Sequence, residues 1–123
     1  MRALIVDDSR FMRAHLRQLL ERLGVECTEA GDGLQALDLL RAEDAAFAFM
    51  LLDVNMPRMT GLECVKQLRK SALGPEMKVM MVTTECDNVF IETALRHGAD
   101  EFLMKPFTTE GLREKLAMMG LPA

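Results

Sequence analysis

Five strand-like runs alternate with stretches of helical spacing along this chain, and four of the runs end on a polar residue. Ala3-Leu4-Ile5-Val6 is a continuous apolar run of the kind buried on both faces of a parallel sheet, and it stops at Asp7-Asp8. From Ser9 to Leu23 the residues Met12, Leu16, Leu19, Leu20 and Leu23 recur at helical spacing, and Gly24 supplies the left-handed residue that ends such a helix. Val25 to Ala30 alternates, which predicts a strand with one wet side at a sheet edge, and Gly31-Asp32-Gly33 turns the chain.

Leu34, Leu37 and Leu40 mark a second amphipathic helix, after which Phe47-Ala48-Phe49 leads into an apolar strand that stops abruptly at Asp53. Thr60-Gly61-Leu62-Glu63 has the Thr-x-x-Glu form of a capping box and opens a third helix that buries Leu62, Val65 and Leu68. Met77 to Val82 predicts a fourth strand, ending in Thr83-Thr84. Asp87 caps a helix whose apolar side includes Phe90, Ile91, Ala94 and Leu95, with Gly98 closing it. Glu101 to Met104 is a fifth strand stopped by Lys105-Pro106, and the last helix carries Leu112, Leu116 and Met119 on one face.

Strands and helices alternating through short loops predict a doubly wound α/β domain with a five-stranded parallel sheet, five helices and right-handed crossovers. A length of 123 residues fits one continuous core, so residues 1–123 are expected to form a single domain with no second domain for output. In such sheets the working site lies at the carboxyl ends of the strands. The residues at those ends are Asp7, Asp8, Asp53, Thr83 and Lys105.

Composition narrows the function further. A net charge of −4 and a pI near 5.2 give no general attraction to nucleic acid or anionic lipid. Cys27, Cys64 and Cys86 are odd in number, far apart and without a Cys-x-x-Cys, so they read as small core residues of a cytoplasmic protein, not as a disulfide or zinc framework. The N-terminus enters the first strand at once, with no room for a signal peptide, and the longest apolar run, Ala45 to Leu52, is too short for a bilayer. His15 and His97 are expected on helices away from the site, exposed. Eleven methionines read as adaptable core filling.

Three carboxylates converging on one place repel each other unless a hard cation sits among them, and oxygen ligands with a small charge excess suit Mg²⁺ or Mn²⁺. Asp53 is then a carboxylate able to attack phosphorus, with Lys105 and the Thr83 hydroxyl placed to hold phosphoryl oxygens. Each of these residues also has a structural reading: Asp7-Asp8 as turn and cap, Thr83 as a hydroxyl closing a strand, Lys105 as a solvated loop lysine, Phe102 as core.

Ile5-Val6-Asp7-Asp8-Ser9, Asp53-Val54-Asn55-Met56-Pro57, Gly61-Leu62-Glu63, Val82-Thr83, Gly98-Ala99-Asp100 and Lys105-Pro106-Phe107 resemble, in order and spacing, the response-regulator receiver domains, and most of all the stand-alone receivers of chemotaxis. The resemblance covers essentially the whole chain. It implies a flavodoxin-like strand order of 2-1-3-4-5. It further implies that Asp53 accepts a phosphoryl group from a phosphohistidine on a sensor histidine kinase. Asp8, Asp53 and the backbone carbonyl of Asn55 would ligate Mg²⁺, with Asp7 acting through a water and the bond from Lys105 to Pro106 cis. Thr83 and Phe102 would act as the switch, and Asn55 with Glu85 would set the lifetime of a short-lived phosphoaspartate. Phe102 stands where those chemotaxis receivers carry tyrosine, keeping the ring without the hydroxyl.

The output would be a surface around the fourth helix, fifth strand and fifth helix, docked by a partner such as a flagellar motor switch protein, with a phosphatase as a further partner and the chain itself monomeric. A phosphorelay intermediate that hands phosphate to a histidine phosphotransfer protein is the alternative within this class. A phosphatase of the haloacid-dehalogenase type also uses an aspartyl phosphate, but it needs an acid two residues after the nucleophile, where this chain has Asn55.

Overall fold

The computed structural model describes residues 1–42, 47–71, 77–84 and 87–121. Ten elements alternate: β1 (Arg2–Val6), α1 (Arg10–Arg22), β2 (Glu26–Ala30), α2 (Gly33–Ala42), β3 (Phe49–Asp53), α3 (Gly61–Lys70), β4 (Lys78–Thr83), α4 (Asn88–Arg96), β5 (Glu101–Met104) and α5 (Thr109–Met118). The strands form one parallel sheet in the order β2-β1-β3-β4-β5, as the resemblance implied. β2 lies at an edge and is only partly buried, with Cys27 and Ala30 covered on opposite faces in place of the expected alternation with one wet side, whereas every residue of β3 is buried.

Period-two alternation divides each central strand between two helical layers. Ala3, Ile5, Phe49, Leu51, Met80, Val82 and Leu103 face Leu16, Leu19 and Leu20 of α1 and Leu112 and Leu116 of α5. Leu4, Val6, Met50, Leu52, Val79, Met81 and Phe102 face the layer of α2, α3 and α4, which contributes Ala36, Leu37, Cys64, Val65, Leu68 and Ala94. Covering both faces explains why these strands read as unbroken apolar runs.

The two predicted caps hold: Thr60 and Glu63 form the reciprocal capping box of α3, and Asp87 accepts from the amides of Val89 and Phe90. Ser9 also caps α1, accepting from the Met12 amide. Gly24 and Gly98 have φ of 83° and 117°, the left-handed values expected where α1 and α4 stop.

Four further expectations need correction. Leu62, expected in the core, is only half-buried, because the buried arc of α3 runs through Gly61, Cys64, Val65 and Leu68. Leu34 is exposed, because the arc of α2 that meets the sheet is centred on Gly33, Ala36 and Leu37, and Leu34 sits about 100° round the helix from Gly33. Leu95 is exposed for the same reason, one residue beyond the buried Ala94. His97 is the half-buried C-cap of α4, outside the helix body, while His15 is exposed on α1. Cys27 and Cys64 are buried, and burial pushes their thiols up to about 11 and about 12, so both are inert core residues. Cys86 lies outside the described residues.

Candidate functional site

Because all five strands run parallel, their carboxyl ends share one edge of the sheet, and the polar residues that end them are brought together there. Asp7 follows β1 and is buried; Asp8, next along, is exposed. Asp53 closes β3 and is buried, Thr83 closes β4 and is buried, and Lys105 follows β5. Carboxylate oxygens of Asp7, Asp8 and Asp53 all lie within 4.8 Å of one another. The Lys105 ammonium reaches into the same cluster, with Nζ 3.2 Å from Asp7 Oδ2 and 3.4 Å from Asp53 Oδ1.

Lys105 is aimed there by its backbone. Its N–H donates to the carbonyl of Thr83 at 2.8 Å, extending the β4–β5 ladder by one step, and its peptide bond to Pro106 is cis. Asp7 is fixed likewise: its Oδ1 accepts the Ser9 amide at 2.9 Å, and its own amide donates to Ala30 across the ladder at 3.2 Å. Burial holds the Asp53 carboxyl above the usual aspartate range, the neighbouring charge of Asp7 adds to that rise, and the Lys105 ammonium opposes it. Three acids against one ammonium leave an excess of two negative charges among oxygen donors. That donor set and that charge fit a hard divalent cation such as Mg²⁺.

Asn55 stands in the β3–α3 loop with an exposed side chain, two residues beyond Asp53. Phe102 is buried on β5, its ring edge-on to Phe90 of α4 with centroids 6.3 Å apart. Glu85 lies outside the described residues.

Arg13 shapes the site without any signal in the spacing of the sequence, and Gly61, part of a motif already quoted, does so through its missing side chain. Arg13, on α1, donates from Nη1 to the Asp7 carbonyl at 2.6 Å and from Nε to Glu29 at 3.1 Å, so it ties α1 to the ends of β1 and β2. Gly61 lets α3 begin against the strand that carries Asp53: its N–H donates to Val54 O at 2.8 Å, and a Cβ there would fall 2.3 Å from the Asp53 carbonyl oxygen. Gly61→Ala therefore has to displace backbone, and it is expected to lower unfolding free energy by about 1–3 kcal/mol in urea denaturation. An unchanged midpoint would show that the loop yields freely.

The chain has known relatives in sequence and in fold. The family model of the response regulator receiver domain matches residues 3–117. The Helicobacter pylori chemotaxis protein CheY1 is 39% identical over 120 residues, spanning 97% of this chain and 96% of that protein. The Campylobacter jejuni CheY homolog is 42% identical over 118 residues, covering 94% and 89% of the two chains. The crystal structure of Vibrio cholerae CheY4 superposes with a TM-score of 0.87 at 36% identity, covering 96% of this chain and 97% of that one. Matched over nearly its whole length in sequence and in fold, this chain belongs to the response regulator receiver domain family.

Proposed function

We propose that this protein is a response regulator of chemotaxis signalling in which Asp53 is the phosphoacceptor. The observation that carries the proposal is the placement of the Lys105 ammonium 3.4 Å from Asp53 Oδ1, within a cluster of three carboxylates. An Asp53 oxygen attacks the phosphorus of a kinase phosphohistidine, the N–P bond breaks, and the imidazole leaves with the electron pair. Asp8, Asp53 and the Asn55 carbonyl would hold Mg²⁺ directly and Asp7 through a water, and the ion when bound supplies positive charge against the acids and the phosphoryl oxygens. Lys105 pairs with the phosphoryl group, and the Thr83 hydroxyl turns to donate to it. Asn55 and Glu85 flank the path of the hydrolytic water and keep the acyl phosphate short-lived.

The output is the face formed by α4, β5 and α5. Val89, Leu95 and Met104 are exposed there, beside a shallow cleft of about 520 Å³ lined by Ile91, Leu95, Phe102, Met104, Pro106 and Lys115 among others. Phe102 links that face to Thr83 through the adjacent β4–β5 ladder, in which Thr83 pairs with Met104 and Met81 with Phe102. Phosphate on Asp53 favours one arrangement of this ladder and of Phe90 against Phe102, which is a population shift between two states. In this reading the protein is a cytoplasmic signalling monomer, not a metabolic enzyme. Among the described residues no helix is long and apolar enough to cross a membrane.

Titrating a flagellar motor switch protein against the chain, with and without beryllofluoride and Mg²⁺, tests the output. Affinity is expected to rise roughly tenfold with the phosphoryl mimic. No rise, together with transfer of labelled phosphate from this chain to a histidine phosphotransfer protein, would instead make it a relay intermediate.

A further inference from the structure

The loop between β3 and α3 is tied to the loop between β2 and α2 by contacts that the phosphoryl chemistry itself does not use. Arg58 is the only non-glycine residue with positive φ (67°) among the described residues, a conformation that such a side chain keeps only when something holds it. Its Nη2 pairs with Oδ2 of Asp32, which is nearly buried. The other oxygen of that carboxylate accepts the Gln35 amide at 2.8 Å and so caps α2. The Gln35 amide first, and then the Arg58 guanidinium, hold this carboxyl below the usual range against the effect of burial. Met59, the next residue, lies over Gly33 so closely that a Cβ there would come within 2.9 Å of its sulfur.

The sheet order gives this link its meaning. β1 lies between β2 and β3, so the two loops joined by this link flank the end of β1, where Asp7 and Asp8 emerge. Two strand spacings, about 10 Å, separate the ends it joins, a span suited to a long side chain with a fork at its tip.

We propose that Arg58 and Asp32 form a positioning clamp for the phosphorylation site. The clamp fixes the β3–α3 loop, so that the Asn55 carbonyl and the Asp53 carboxylate keep their places relative to the acids of β1. Neither residue touches the reacting atoms. The consequence for phosphorylation rests on the function proposed above, whereas the ordering of the loop does not.

Arg58→Asn, Asp32→Asn and the double variant test it. Asparagine accepts left-handed backbone and caps helices as well as aspartate does, so each change removes the ion pair while sparing the local fold. Three quantities are read: hydrogen exchange at the Gly61 amide, Mg²⁺ affinity from amide chemical shifts, and the rate of labelling by a small acyl phosphate. Gly61 exchange is expected to quicken in both single variants, and Mg²⁺ affinity and labelling to fall roughly tenfold. The double variant should be no worse than either single one, and Arg58→Lys should recover part of the loss. Unchanged Gly61 exchange and Mg²⁺ affinity, or losses that simply add in the double variant, would overturn the clamp. A wild-type protein that binds Mg²⁺ yet takes no label would overturn the proposed function instead, leaving exchange and metal affinity to judge the clamp.

Discussion

Asp53→Asn is expected to abolish phosphoryl labelling and, in the presence of a chelator at neutral pH, to raise the thermal midpoint. Both effects have one cause. The carboxylate that can attack phosphorus is held in a buried place beside Asp7, and its pKa is raised above the unfolded value by burial first and by the Asp7 charge second. A carboxyl with a raised folded pKa contributes stability that is fully present below the unfolded pKa and lost as pH rises through the folded one. At neutral pH the charged group therefore opposes folding, and an amide of the same shape removes that opposition. The stability gap between variant and wild type should close as pH falls below the ordinary aspartate range. Mg²⁺ should stabilise the wild type more than the variant. A variant that melts below the wild type in chelator would contradict the electrostatic account, and one that labels normally would remove Asp53 from its role.

Lys105→Ala is expected to separate labelling from signalling. The ammonium contacts both Asp7 and Asp53, and its side chain is 18% exposed, so its removal leaves two largely buried carboxylates without a counter-charge. In chelator this should cost about 1–3 kcal/mol of stability, partly restored by Mg²⁺. Labelling of Asp53 by a small phosphodonor should persist at a reduced rate, because the attacking oxygen is untouched. What should be lost is the response of the output face. Amide shifts at Phe102 and Phe90, which are expected to move with beryllofluoride in the wild type, should stay near their resting positions, and motor switch affinity should not rise. A wild-type response in this variant would show that Lys105 is only a counter-ion of the resting state.

Much of this was legible along the chain because the relevant signals are local. Apolar runs that stop on Asp7, Asp53 and Thr83 mark the strand ends, and the Thr60–Glu63 box and the Asp87 cap mark helix starts within a few residues of the groups they bind. A parallel sheet then gathers the strand ends without further information. The strand order was not contained in that pattern and came from family resemblance. Leu34 and Leu95 were misplaced because an apolar residue at the margin of a helical arc differs from one at its centre only by the packing of neighbouring elements. Arg13 on the Asp7 carbonyl and Arg58 on Asp32 were invisible for another reason. Each joins residues brought together only by the fold, and a solvated arginine reads the same as a paired one in sequence.

The most direct measurement is to locate the phosphoryl group after the chain is incubated with a histidine-phosphorylated sensor kinase and Mg²⁺, using reductive trapping of the acyl phosphate and peptide mass mapping. One phosphoryl group, found only on the peptide that carries Asp53 and not formed when a chelator replaces Mg²⁺ during the incubation, is the predicted result. A phosphoryl group on Asp7, Asp8 or a histidine, with Asp53 unmodified, would contradict the account.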